Sequence, residues 1–394
     1  MKKLVLALAA STLLSTAALA EDIKIGVFLG FTGPIESMVA NMGPGAEMAI
    51  KEVSDSGALL DGVKIEAVRG DTTCVDAAAA TATAERLVTT DKVKAIVGGD
   101  CSGVTGAALQ NVARPNGIVM ISPSATSPGL STAEDDGLFF RTAPSDARQG
   151  EIVRDILMEK GVKTIALTYT NNDYGKGLAE SIQKNFEAAG GKVTISAAHE
   201  DGKGDYSAEV GALAQAGGEV LVVAGYLDQG GKGIIQGALD TGAFSTFYLP
   251  DGMVGDALPK AIGAGLNGSY GANPGTDSPG AATFQEMAKA AGFDGTGAFA
   301  AESYDAAALI LLAMQAAGST ESAKLKDKVM EVANAPGEKI YPGELAKALK
   351  ILKDGGDIDY VGASAVELVG PGESAGNYRE IEIKDGGISV VKYR

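Results

Sequence analysis

Two successive series of short apolar runs, each run leading into a helix-like segment, constrain the fold more than any other feature of this chain. In the first series Ile23–Phe28, Val63–Val68, Lys94–Val97, Gly117–Ile121 and Phe139–Thr142 read as strands, with helices at Gly45–Val53, Ala77–Leu87 and around Ala107–Val112. A second series starts after Pro144 with a helix near Gln149–Glu159. Its strands are Thr164–Thr168, Lys192–Ala197, Val220–Ala224 and Thr246–Leu249, separated by helices at Leu178–Ala188, Ser207–Ala214 and Gly233–Leu239. Regular βαβ alternation predicts parallel sheets covered by helices on both faces. The 394 residues suffice for two such lobes.

The passage from Gly268 to Gly280, rich in Gly, Asn, Pro and Ser, reads as a linker. Beyond it the pattern turns helical, over Ala281–Ala291, Ala298–Ala316, Ser322–Val332 and Leu345–Leu352. Strands at Ala363–Leu368 and Arg379–Ile383 close the chain, the latter turning at Asp385-Gly386-Gly387 into Ile388–Val391 as a hairpin.

Candidate chemistry concentrates in Gly98–Thr126. A strand runs out into the small-residue turn Gly98–Gly103, and the next strand ends in Ser122-Pro123-Ser124-Ala125-Thr126. Neighbouring carboxyl ends of parallel strands are where small ligands sit. Hydroxyls beside free N–H groups at a helix start suit an anion, most simply a carboxylate. Nothing in this stretch can act as a base toward a serine. Ser102, Ser124, Ala125 and Thr126 are therefore expected to cradle a carboxylate; for Ser102 and Thr126 the alternative is plain helix capping.

The first twenty residues carry a basic start at Lys2 and Lys3, a short apolar run, and Ala18-Leu19-Ala20. This is the pattern of a secretory signal peptide cleaved after Ala20, which places the mature protein outside the cytoplasm. The formal net charge is −17, and loss of Lys2 and Lys3 makes it −19. So acidic a balance argues against nucleic acid or an anionic membrane surface as partner. Two cysteines, Cys74 and Cys101, in an exported chain favour one disulfide over two buried thiols. With one histidine, His199, no metal site is expected.

The residues resemble the substrate-binding proteins of ABC transporters for branched-chain amino acids, the leucine/isoleucine/valine-binding type. The resemblance rests on Gly33-Pro34, Asp71-Thr72-Thr73-Cys74, Gly98-Gly99-Asp100-Cys101-Ser102, Ile121–Thr126, Phe140-Arg141-Thr142, Asn172–Gly177, Gly225-Tyr226 and Ser303-Tyr304-Asp305-Ala306, in that order along the mature chain. It implies a type I periplasmic-binding-protein fold: two doubly wound α/β lobes joined by three crossover strands near Thr142, Ala272 and Pro371. Lobe I would hold residues 21–142 and 275–371, and lobe II residues 143–274 and 372–394.

The resemblance also implies a site in the cleft between the lobes. A ligand carboxylate would meet Ser102, Ser124–Ala125 and Thr126. A ligand ammonium would meet Tyr174, Tyr226 and Asp251, where relatives usually carry Glu in place of Asp251. The tyrosines otherwise read as cleft-rim packing. Met38, Asp100 and Phe299 would line the side-chain pocket, and Cys74 would pair with Cys101. Relatives have an apolar residue in place of Asp100 and tyrosine in place of Met38, and Glu36 lies two residues from Met38. Asp100 therefore either caps the following helix or favours a polar, basic or amine-bearing ligand over leucine.

The function implied is capture of an amino acid and its delivery to an inner-membrane ABC permease by a monomer with no cofactor; a sensor role would use the same cleft. Catalysis is disfavoured. There is no G-x-S-x-G, H-E-x-x-H or P-loop, and Gly231–Gly237 misses a dinucleotide fingerprint by one residue of spacing.

Overall fold

The computed structural model describes residues 22–394; the expected signal peptide and cleavage point lie outside them. The first five strands are β1 (Ile23–Leu29), β2 (Ile65–Asp71), β3 (Ala95–Gly98), β4 (Met120–Ser122) and β5 (Phe139–Pro144). The next five are β6 (Thr164–Thr170), β7 (Lys192–His199), β8 (Val220–Ala224), β9 (Phe247–Leu249) and β10 (Tyr270–Pro274). Each set forms a parallel sheet with the same order, β2-β1-β3-β4-β5 and β7-β6-β8-β9-β10. The inner strands are buried, as expected where helices cover both faces, while the edge strands β2 and β7 are partly exposed. The protein is thus two doubly wound α/β lobes.

Six short strands complete the topology: β11 (Glu338–Ile340), β12 (Ile358–Tyr360), β13 (Leu368–Val369), β14 (Glu373–Ser374), β15 (Tyr378–Lys384) and β16 (Gly387–Tyr393). The chain changes sheet after β5, after β10, and between β14 and β15. Helix Ala300–Ala317, buried along most of its length, packs against helix Glu36–Ser56 of the first lobe. β14 belongs to the first sheet although the expected boundary at 371 assigns it to lobe II. The reason is an ion pair: Glu373 on β14 faces the buried Arg141 of β5 at 2.5 Å.

Two local expectations fail for identifiable reasons. The Gly268–Gly280 passage contains β10, a fully buried strand between β9 and β15, because pairing and burial override a weak strand composition. Residues 363–365 form a turn, and 366–367 have no regular structure, in place of the expected strand. There the Asp305 carboxylate accepts from the N–H groups of Ala363 and Ser364 at 2.8 and 2.7 Å, which diverts those groups from a ladder.

A disulfide joins Cys74, just past β2, to Cys101, just past β3. It closes 27 residues of sequence, a loop worth about 3–4 kcal/mol in the chain-entropy account. Replacing both cysteines by serine is expected to lower the urea unfolding free energy by about that amount. An unchanged midpoint would contradict the bracing role.

Glu302 sits buried at the crossovers, its carbonyl accepting from Thr142 Oγ1 at 2.8 Å. Burial pushes its carboxyl up from 4.5 to about 7, so the folded state holds more protons than the unfolded chain across that window. Its stability contribution is intact below pH 4.5 and is lost as pH rises through about 7. Relative to wild type, Glu302→Gln should therefore gain on going from pH 5 to pH 8, by about 2–3 kcal/mol. Equal differences in urea unfolding at both pH values would contradict this.

Candidate functional site

In each sheet the strand order reverses between the first and third strands, β1/β3 and β6/β8, and crevices open at the carboxyl ends of such reversals. Loops from both reversals meet across one tight cavity of about 20 Å3. Its walls are Ile35, Met38, Asp100, Cys101, Ser102, Ser124 and Phe299 from the first lobe, with Tyr174, Tyr226, Asp251 and Gly252 from the second. A larger, open groove between helices Ser207–Ala216 and Gly230–Thr241 contains none of the expected site residues.

The first-lobe wall is built by hydrogen bonds among strand ends. Gly98 turns the chain at φ 131°, where a Cβ would meet the Phe28 carbonyl oxygen at 2.0 Å, so only glycine fits. Ser122 Oγ, also at a strand end, accepts from the N–H of Ala125 at 2.9 Å and donates to the Gly99 carbonyl at 2.5 Å. Ser124 Oγ donates to the Asp100 carbonyl at 3.1 Å, and Ser102 Oγ accepts from the N–H of Ser127 at 3.1 Å. Ser102 therefore joins the two turns instead of capping its own helix.

Arg141, fully buried, donates Nη1 to the carbonyls of Ala125 and Ser127 at 2.9 and 3.0 Å. Both backbone groups of Ala125 are thus occupied. Ala125 and Thr126 stand behind the wall and do not line the cavity. Thr126 Oγ1 is buried with no hydrogen-bond partner among the described residues.

Asp100 takes neither of its expected roles alone. Its Oδ2 accepts from the N–H of Gly30 at 2.5 Å, while Oδ1 accepts from Thr72 Oγ1 and from its neighbour Cys101 N–H, each at 2.9 Å. It lines the cavity while tying together the ends of β1, β2 and β3. Burial pushes its carboxyl up, and these donors pull it back.

On the second lobe Asp251 is 1% exposed. Its Oδ1 accepts from Tyr174 Oη at 2.6 Å and from the N–H of Gly252 at 2.8 Å. The Tyr174 and Tyr226 rings stack at 5.2 Å between centroids, and Asn172 Nδ2 donates to Tyr226 Oη at 3.4 Å. Behind them Gln149 bridges two carboxyl residues: its Nε2 donates to Asp146 Oδ1 at 2.8 Å, and its Oε1 accepts from the Asp251 N–H at 3.1 Å. Burial raises both carboxyls, and the Asp251 charge adds to the rise at Asp146. The cavity thus has hydroxyls on one wall and a carboxylate with two phenols on the other. This arrangement suits a ligand with an anionic and a cationic end.

Met38 and Phe299 line the remaining wall beside Ile35, and all three are buried. Glu36 is exposed and does not line the cavity. Ile35 and Gly252 line it unannounced by the sequence, and Ser122, Arg141 and Gln149 support its walls from behind. Of these, Ser122 and Arg141 carried a signal, as parts of Ile121–Thr126 and Phe140-Arg141-Thr142. His199 is buried with Nδ1 2.9 Å from Thr168 Oγ1, and burial pushes it down to about 4. Among the described residues there is no cluster of three potential metal ligands, and no helix is long and apolar enough to cross a membrane.

The family model of the periplasmic binding proteins matches residues 22–340. A Leu/Ile/Val-binding protein homolog 1 from Brucella melitensis is 33% identical over 325 residues, covering 81% of this chain and 83% of that protein. A leucine-, isoleucine-, valine-, threonine- and alanine-binding protein from Pseudomonas aeruginosa is 29% identical, covering 83% and 87%. Among solved structures, a leucine-binding protein from Thermotoga maritima superposes with a TM-score of 0.79 at 22% identity, covering 94% of this chain and 98% of the other. The chain belongs to the periplasmic binding protein family, a family of substrate-binding proteins and not of enzymes.

Proposed function

We propose that this protein captures an α-amino acid with an aliphatic side chain, branched-chain or similar, between its lobes and delivers it to an inner-membrane ABC permease. One observation carries the reading. A buried carboxylate, Asp251, braced by Tyr174 and the Gly252 N–H, faces the hydroxyl-bearing turns at Ser102 and Ser124 across a single cavity. The ammonium meets Asp251, with Tyr174 and Tyr226 around it. The carboxylate meets Ser102 and Ser124, whose turns Ala125 and Thr126 support from behind, and Ile35, Met38 and Phe299 enclose the side chain. The relatives' names support the same ligand class. Lobe I comprises residues 21–142 and 275–374, the third crossing following β14, and lobe II residues 143–274 and 375–394. The chain acts as a periplasmic monomer after cleavage at Ala20.

The alternative, a ligand with a polar or basic side chain, draws on Asp100. That carboxylate already accepts from three donors, so an aliphatic neighbour strands no unsatisfied group.

Asp251→Ala is expected to weaken leucine binding by about 2–5 kcal/mol in titration calorimetry, because it leaves the ammonium unpaired. Ser102→Ala should cost about 1–3 kcal/mol. Unchanged affinity in Asp251→Ala would show that the pocket is wrongly assigned. Asp100→Asn should lower thermal stability while keeping the preference for leucine over lysine; a reversed preference would favour the polar reading.

A further inference from the structure

Beside the cavity the two lobes touch directly. Helix Glu36–Ser56 begins after Ile35, whose side chain has no group able to cap the exposed N–H groups. The cap comes from the opposite lobe: Asp228 Oδ2 accepts from the N–H of Ser37 at 3.0 Å. The Asp228 N–H in turn donates to the Pro34 carbonyl at 3.1 Å. A carboxylate at a helix N-terminus is further favoured by the helix dipole. Ile35 and Met38 on one partner segment line the cavity, as does Tyr226 on the other, yet Asp228 does not. On another face of the cleft, Gly177 of helix Asp173–Ala188 lies against Pro128 of the first lobe. A Cβ at Gly177 would sit 2.8 Å from Pro128 Cδ and 3.2 Å from Ser127 Oγ.

We propose that Asp228 and Gly177 are affinity-determining residues that act on lobe closure without touching the ligand. Asp228 supplies a helix cap across the cleft that exists only when the lobes are together, and Gly177 leaves the room that lets them meet. The proposal rests on the reading that ligand is held between closed lobes. Its consequence follows from linkage: lowering the closed fraction raises the apparent Kd by the same factor for every ligand the closed site accepts. Residues that touch the side chain would instead change the ratios between ligands.

The test is titration calorimetry of wild type, Asp228→Ala and Gly177→Ala with leucine, isoleucine and valine, alongside thermal unfolding without ligand. Asp228→Ala is expected to raise all three Kd values by one common factor of about threefold to thirtyfold, the range for a lost N-cap. Gly177→Ala should also raise them together while leaving ligand-free unfolding unchanged or higher, since alanine favours the helix. Asp228→Asn, whose amide oxygen still accepts from Ser37, should recover most of the loss. Unchanged Kd values in both variants, or factors that differ among the three ligands, would overturn the proposal. A wild type that binds none of the three contradicts the ligand assignment instead; the titrations are then run with whatever ligand native mass spectrometry recovers from the purified protein.

Discussion

Asp251 is a carboxylate that the cleft takes out of water, and most of the candidate site follows from that constraint. Burial without a partner charge is costly, and hydrogen bonds offset only part of the cost. Tyr174 and the Gly252 N–H both donate to Oδ1, and Gln149 holds the backbone from behind, so the side chain is fixed. No cationic residue forms an ion pair with Asp251 among the described residues. In the proposed reading the ligand's ammonium is the missing counter-charge, which makes closure and binding a single event: the closed state is favourable when the cation arrives with the ligand.

The same residue type solves a different problem at Asp100. There three donors from three strand ends surround the carboxylate, and the disulfide at Cys101 anchors the same turn. Asp100 welds the ends of β1, β2 and β3 into a rigid floor for Ser102. Arg141 does the same for the neighbouring turn through the carbonyls of Ala125 and Ser127, with Glu373 offsetting its buried charge.

What was legible in the sequence was local. Strand–helix alternation, the serine-bearing strand ends and the hairpin at Asp385-Gly386-Gly387 each rest on neighbouring residues, and the structure has them. The cavity gathers Ser102, Ser124, Tyr174, Tyr226, Asp251, Met38, Asp100 and Phe299 because a doubly wound sheet brings loop ends together at its reversal, and the family pattern marks those ends. The rest depends on partners far away in the chain. Arg141 and Glu373 are 232 residues apart, and Ser37 and Asp228 are 191 apart, so neither side chain announces its role locally. β10 was illegible because its small residues have little strand character of their own and gain it only between β9 and β15. The dual placement of Asp100 was equally hidden, since it depends on Gly30 and Thr72, from two other strand ends.

The central claim is that the cleft recognises both charged ends of an amino acid at once. It is tested most directly by titrating the protein with leucine, with 3-methylbutylamine, which lacks the carboxylate, and with 4-methylpentanoate, which lacks the ammonium. The account predicts heat of binding for leucine and none for either truncated compound at the same concentrations, because each leaves one buried wall unpaired. Binding of 4-methylpentanoate as tight as that of leucine would contradict it, since Asp251 would then be buried against no cation.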